Sequence, residues 1–394
     1  MNSYQKISAA LSHQDTPVPI DFGSNAVTGM HVTCVAELRD YYGLEKRLVK
    51  VIEPYQMLGD IDEDLKLALG IDVEAVNGES TMFGFRNENW REWRAPWGQE
   101  MLVSEHFKTI TDGDARLIYA KGDESAPPAA KLPGGGYFFD TIIRQEEFDE
   151  DNLKVEDNLE EFTPIDDSAL AYYAAEAQRA RQSGRAVLAT FGGTGLGDIA
   201  LVTGPMLTHP KGIRDVAEWY MSTAIRQDFV REIFDRQTVI AIENLQKVSQ
   251  AVGDLVDIVF TCGTDFGTQT SQFCSVDTFR EVWFPYYKRV NDWIHANTNW
   301  KTFKHSCGAA EPFYTSMIEC GFDIINPVQC SAAGMDPTML KQKYGKHLVF
   351  WGGGIDTQKV LPFGTPQEVR DQVLERCRIF SPGGGFVFNA IHNV

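Results

Sequence analysis

Trp300-Lys301-Thr302-Phe303-Lys304-His305-Ser306-Cys307-Gly308 is the stretch that decides the fold. A run of strand length empties into a loop that opens with an imidazole and a thiol two residues apart. In an α/β barrel, the C-terminal end of such a parallel strand is where the chemistry is kept. Imidazole and thiolate together are borderline-soft ligands, which suit zinc better than magnesium or calcium. A single His-x-Cys pair is a weak motif, so the rest of the chain has to supply the barrel and further ligands.

Outward from this run, eight apolar segments bounded by Gly, Pro or Asx read as strands: Val18-Phe22, Ile71-Val76, Val187-Phe191, Val256-Thr261, Thr302-His305, Asp323-Pro327, Leu348-Trp351 and Phe386-Ala390. Continuous apolar runs suit strands buried on both faces, as in parallel sheets covered by helices. Eight of them alternating with helical patterns predict an α/β fold, the (β/α)8 or TIM barrel. The helix after Gly364 is marked by Thr365 as cap, Pro366 at its first position and Glu368 closing a capping box. Apolar periodicity predicts one or two long helices over Ile213 to Val252 and another over Ser168 to Ser183.

Between the second and third strands about 110 residues intervene. Trp90, Trp93 and Trp97 among charges predict a small β-rich insertion, and the Ala-, Pro- and Gly-rich stretch Ser125 to Gly136 reads as a loop. The expected organisation is one barrel domain over 1–394 with an inserted β-rich and loop segment over 77–150. The chain stops at Val394, shortly after the eighth strand, with no clear final helix. Gly192-Gly193-Thr194-Gly195 and Gly352-Gly353-Gly354 fit neither a dinucleotide nor a P-loop pattern and read as tight turns at the barrel mouth.

Composition narrows the function classes. With 36 Lys+Arg against 55 Asp+Glu the formal net charge is −19, a field that repels nucleic acid and anionic membranes. No apolar run reaches the roughly 18 residues that span a bilayer, and the N-terminus leads into no signal-type core, which predicts a cytoplasmic protein. The seven cysteines, an odd number spread along the chain, read as reduced thiols.

The residues just after each strand form a ring on one face of the barrel. They are Asn25, Glu79, Thr194, Asp265, His305 with Cys307, Gln329 with Cys330, Asp356 and His392. Asn25 and Asp356 read equally well as helix caps or partners of loop backbone. For metal ligation the candidates are His305, Cys307, Cys330 and His392. Cys330 is favoured by adjacency, since the fifth and sixth strands are neighbours whereas the eighth lies across the opening. A catalytic zinc takes three protein ligands and keeps one position open, so three of the four suffice. The other six histidines fall in helical or loop positions away from this ring.

Three runs then carry a family likeness: His305-Ser306-Cys307-Gly308; Gly321-Phe322-Asp323-Ile324-Ile325-Asn326-Pro327; and Trp351-Gly352-Gly353-Gly354-Ile355-Asp356 followed by Leu361 and Gly364-Thr365-Pro366-Gln367-Glu368-Val369. Together they resemble the uroporphyrinogen decarboxylase superfamily, and more closely its branch of methylcobamide:coenzyme M methyltransferases and related corrinoid-dependent enzymes. The resemblance implies a (β/α)8 barrel and a zinc held by a His-x-Cys after the fifth strand and a cysteine after the eighth. His305 and Cys307 match that pair residue for residue, and His392 stands where the last cysteine is expected. It also implies a corrinoid (cobalamin), carried by a partner protein or met as a cosubstrate, and a small methyl acceptor, expected to be a thiol. A homo-oligomer is compatible with it.

The decarboxylase proper resembles this chain less closely. It meets a highly anionic substrate with an arginine-rich segment near its N-terminus, where this chain has Asp21-Phe22-Gly23-Ser24-Asn25-Ala26. The expected activity is therefore zinc-dependent methyl transfer between a methylated corrinoid and a small acceptor. Asp265 and Glu79 are candidate catalytic polar groups, Glu79 as proton acceptor, and Asn25, Gln329 and Asp356 are candidate substrate contacts. The alternatives are a cofactor-free carboxy-lyase, with Glu79 or Asp265 as its acid, and a barrel that binds a corrinoid without turning it over.

Overall fold

The computed structural model describes residues 1–147, 149–191 and 194–394. Gly192 and Gly193 of the first glycine run lie outside the described residues. The second to eighth expected strands are present as Val73–Val76, Ala186–Ala189, Ile258–Cys262, Lys301–His305, Ile324–Asn326, Val349–Trp351 and Phe386–Val387. They pair in chain order in one curled sheet, and every pairing is parallel. Parallel neighbours need a crossover between them, and helices supply most of these.

The first expected strand is a correction. Val18-Phe22 forms no regular strand, because Pro17 and Pro19 have no N–H to donate to a ladder. What remains is one rung on each side. The Asp21 N–H donates to Phe388 O (2.9 Å), the Phe388 N–H to Pro19 O (2.8 Å) and the Asp72 N–H to Ile20 O (2.8 Å). Three residues thus touch both edges of the curled sheet.

Side-chain period decides what lies inside. Phe303 packs in a cluster with Val73, Leu188, Ile258, Ile324, Val349, Trp351 and Val387, one or more from every strand of the sheet. Alternation along a strand puts His305 on the same face as Phe303, and Asn326 on the same face as Ile324. The helix Ser3–Leu11 adds Ile7 and Ala10 to this cluster. Its end is fixed by the Gly385 N–H, which donates to Ala10 O (2.9 Å), and by Lys6 Nζ on Asp72 Oδ1 (2.9 Å). Gly385 and Asp72 both precede their strands, so this helix closes the N-terminal end and leaves the C-terminal end open for chemistry.

The expected helices form with their signals in place. Pro366–Phe380 carries both bonds of its capping box, and the long span is divided into Val216–Ile225 and Gln227–Val252 at Arg226. Between the second and third strands lie an antiparallel hairpin, Arg91–Arg94 with Glu100–Val103, and a four-stranded meander from Thr109–Asp112 to Asp140–Thr141. The stretch Ser125 to Gly136, expected as loop, contains the strand Ala130–Leu132. Ala130 and Leu132 are buried and the lysine between them is exposed, so alternation overrides the Pro and Gly around it. At Gly352 (φ +122°) a Cβ would stand 2.3 Å from Pro327 O, a close approach that only glycine permits.

Candidate metal centre

His305, Cys307 and His392 converge at the open end of the sheet, with one ligand atom from each lying within 4.8 Å of the others. His305 Nε2 is 3.2 Å from Cys307 Sγ, and the two imidazole rings face at 5.0 Å between centroids and 80° between planes. Tetrahedral zinc with bonds of about 2.0–2.3 Å sets its ligands roughly 3.5 Å apart, so this donor set needs little movement to close on such an ion.

Each donor is held by a different device. His305 ends the fifth strand and is 4% exposed, with Nδ1 2.5 Å from Asn326 Oδ1. Cys307 follows in a loop pinned by its own N–H, which donates to Asp265 Oδ1 (2.6 Å), and by the Gly308 N–H, which donates to Gln329 Oε1 (2.8 Å). Gly308 is required there: its φ is +79°, and a Cβ would meet the Gly267 backbone at 2.3 Å. His392 has φ 70°, a left-handed conformation that costs a non-glycine residue about 1–2 kcal/mol. Its neighbours enforce it. The Ile391 N–H donates to Ile355 O (3.1 Å), and Asn393 Oδ1 accepts the Gly29 N–H (2.6 Å).

Burial sets the charge of these groups. It lowers the His305 pKa to about 4, against the opposing bond to Asn326, and lowers that of His392 to about 3. Both rings are therefore neutral and carry lone pairs near pH 7. Burial, then the adjacent Asp265, push the Cys307 thiol well above its ordinary value. Burial also raises Asp265, and it raises Asp198 to about 6 with Asp265 as the second cause. Neutral imidazole nitrogens with a protonated thiol form a donor set that a divalent cation converts to its binding form, since a coordinating thiol is deprotonated by the ion itself. The residues fit zinc.

The other expected site residues are distributed differently. Asp265 belongs to the centre, 3.9 Å from His305 Nε2 as well as bound to the Cys307 amide. Gln329 faces the loop rather than the mouth, bridging the Gly308 N–H and Gln269 Oε1 (2.8 Å). Asp356 accepts the N–H groups of Gln358 (2.8 Å) and Lys359 (3.2 Å), which is a turn-capping role. Asn25 is buried, its Oδ1 accepts the Val27 N–H (3.0 Å), and its Nδ2 is without a partner. Glu79 is paired with Arg86 (2.7 Å) and makes no hydrogen bond or ion pair with the three donors.

Cys330, favoured by strand adjacency, is a correction. After the sixth strand the chain turns at Val328 (φ 57°), the Cys330 N–H closing back on Val328 O (2.7 Å), and the thiol lies in a separate depression lined by Met335, Asp336 and Arg376. His392 takes its place in the cluster. Residues absent from the expected set are Asn326, Asp198 and Lys304. Lys304 lies on the opposite strand face from His305, fully buried, with Nζ donating to Thr264 O and His305 O (both 2.6 Å). A second set of metal-type groups, Glu88, Glu105 and His106, lies on the inserted β segment, where its side chains are solvent-exposed.

Comparison with known proteins gives two results. The family described as Uroporphyrinogen decarboxylase (URO-D) matches residues 150–394. Among solved structures, a methyltransferase from Methanosarcina mazei superposes with TM-score 0.53 at 14% identity, over 100% of this chain and 94% of its own. At that identity the likeness is one of fold. A beta-glycosidase, BGL167, reaches TM-score 0.33 at 13% identity over 60% of this chain and 70% of its own, too little to carry an argument. No curated protein matches.

Proposed function

The chain belongs to the uroporphyrinogen decarboxylase family, and on that premise we propose that it is a zinc-dependent methyltransferase, passing a methyl group from a methylated corrinoid to a small acceptor thiol. The observation that carries this reading is the convergence of His305, Cys307 and His392 at the C-terminal end of the parallel sheet. A sulfur donor beside two neutral imidazoles is a borderline-soft set that suits zinc. The methyltransferase fold of the Methanosarcina mazei protein supports it further.

In this reading His305, Cys307 and His392 hold the ion. When bound, zinc lowers the pKa of an acceptor thiol so that the nucleophilic thiolate forms near neutral pH. Asp265 and Gln329 keep the loop of Cys307 in place through the Cys307 and Gly308 amides. The free Asn25 Nδ2 is a hydrogen-bond donor for the acceptor's polar end, on a loop tied to the segment of His392 through Asn393. A methylated corrinoid would supply the methyl group that the sulfur of the acceptor takes. The corrinoid is carried by a partner protein or taken as a cosubstrate.

The same reading makes residues 1–394 a single (β/α)8 barrel, closed through Pro19–Asp21, with 77–150 as its insertion. No helix among the described residues is long and apolar enough to cross a membrane, and we place the enzyme in the cytoplasm. The test is elemental analysis joined to methylcobalamin turnover with a series of small thiols. About one zinc per chain is expected, with both zinc and turnover lost in His305→Ala and Cys307→Ala. Turnover by zinc-free protein at an unchanged rate, or carbon dioxide release from a porphyrinogen that survives strong chelators, overturns the proposal.

A further inference from the structure

We propose that Asn326 is a positioning residue that presets His305 in the one neutral tautomer able to bind a metal through Nε2. The inference rests on the metal reading above for its purpose, but its geometry stands independently of any ion.

Asn326 is the last residue of the sixth strand, paired in register with His305 and fully buried. Its Nδ2 donates to Trp351 O at 2.8 Å. A backbone carbonyl can only accept, so this bond fixes which end of the amide is nitrogen, and Oδ1 is left to face His305 Nδ1 at 2.5 Å. Oδ1 carries no proton, so Nδ1 must supply one. Neutral imidazole has a single N–H; once it sits on Nδ1, Nε2 holds a lone pair. That lone pair is on the side of Cys307 Sγ, 3.2 Å away. Turning the amide over would set Oδ1 against the Trp351 carbonyl, a buried acceptor–acceptor mismatch that the observed orientation avoids.

The chain of command crosses three adjacent strands, from Trp351 through Asn326 to His305. His392 has no such lock. Its Nδ1 lies 2.8 Å from the Asn393 N–H, which favours the opposite tautomer, with the proton on Nε2. In the metal-free protein the two rings are therefore expected to differ, His305 protonated on Nδ1 and His392 on Nε2.

Long-range proton–nitrogen correlation NMR on metal-free, 15N-histidine-labelled wild-type protein reads this directly. The Nδ1–H form of His305 is expected, and an Nε2–H signature overturns the proposal whether or not any variant folds. In parallel, zinc affinity is measured by competition with a chromophoric chelator. Outer partners of ligating histidines set metal affinity by 10–100-fold. Asn326→Ala should weaken binding by that factor, and Asn326→Asp, which keeps an acceptor oxygen toward Nδ1, should bind more tightly than the alanine variant. Wild-type affinity in a folded Asn326→Ala protein overturns the proposal. Absence of zinc binding in the wild type would instead remove the proposed function, and the tautomer measurement would still decide the role of Asn326.

Discussion

Asp21 offers a test of how the sheet edges are joined, because its carboxyl is fully buried in the short segment that bridges them. Its Oδ2 accepts from Ser24 Oγ (2.6 Å) and Trp351 Nε1 (2.8 Å), and among the described residues it forms no ion pair. Burial raises its pKa from 3.8 to about 6, against the opposing hydrogen bonds. That difference corresponds to about 3 kcal/mol. The sign follows from proton counting. Between pH 3.8 and 6 the folded state binds the proton and the unfolded state does not, so this group makes stability fall as pH rises. Below 3.8 both states are protonated and the group contributes no pH dependence; above 6 the whole penalty applies. Asn in this place keeps one carbonyl oxygen for both strong donors and never ionises. The stability of Asp21→Asn relative to wild type should therefore grow by about 2.5 kcal/mol between pH 4 and pH 8, with most of the change below pH 6.5. Urea unfolding followed by tryptophan fluorescence at a series of pH values measures it. A gap that stays constant across that range would show that Asp21 titrates alike in the folded and unfolded chain, and would refute the reasoning.

Two further perturbations address the closed end and the open end of the sheet. Lys6→Ala removes the cation from Asp72, whose side chain is 1% exposed, while the Ile20 N–H still donates to it (3.1 Å). A loss of about 2 kcal/mol is expected from the buried carboxylate that loses its ion pair, read from the urea midpoint; a loss under about 0.5 kcal/mol would mean that the packing of Ile7 and Ala10 and the bond from the Gly385 N–H hold the helix Ser3–Leu11 without it. Gly308→Ala forces a Cβ against the Gly267 backbone in a left-handed conformation. It should displace Cys307 and weaken zinc binding at least 10-fold, with a stability cost of about 2 kcal/mol, and an unchanged chelator-competition curve would contradict the placement of that loop.

His305 and Cys307 were legible because everything that aims them is local. The period of 2 along Lys301–His305 sets His305 in line with Phe303, and the thiol follows two residues later. Thr365, Pro366 and Glu368 announced their helix for the same reason, since a cap is satisfied within one turn. The choice between Cys330 and His392 was not legible. Strand adjacency pointed to Cys330, but a left-handed turn at Val328 diverts it, and nothing in a β-branched residue foretells positive φ. Asn326 was invisible for another reason: its importance is a register, His305 opposite Asn326, and register is set by sheet pairing across 21 residues of sequence. The ring of residues after the strands offered His392 only as one of four candidates, and the likeness to the uroporphyrinogen decarboxylase superfamily gave it the position of a ligand.

The charge states of the centre explain how such a site can fold before any ion arrives. Three ionised donors buried together would each need a counter-charge or lose solvation that the fold cannot return. Here burial keeps His305 and His392 unprotonated and Cys307 protonated, so the donors enter the fold neutral. The nearby charged groups are satisfied separately, Lys304 by carbonyl oxygens and Asp265 by the Cys307 amide. The same neutrality makes the centre responsive. A divalent cation gains the preset lone pair of His305, takes that of neutral His392 in exchange for its bond to the Asn393 N–H, and displaces one thiol proton, so binding should release close to one proton per ion and strengthen as pH rises. Calorimetry of zinc binding in buffers of different ionisation enthalpy measures that number at pH 7. A value near zero would mean that Cys307 is already a thiolate in the metal-free protein or is not a ligand, and either result would undo the electrostatic account of the centre.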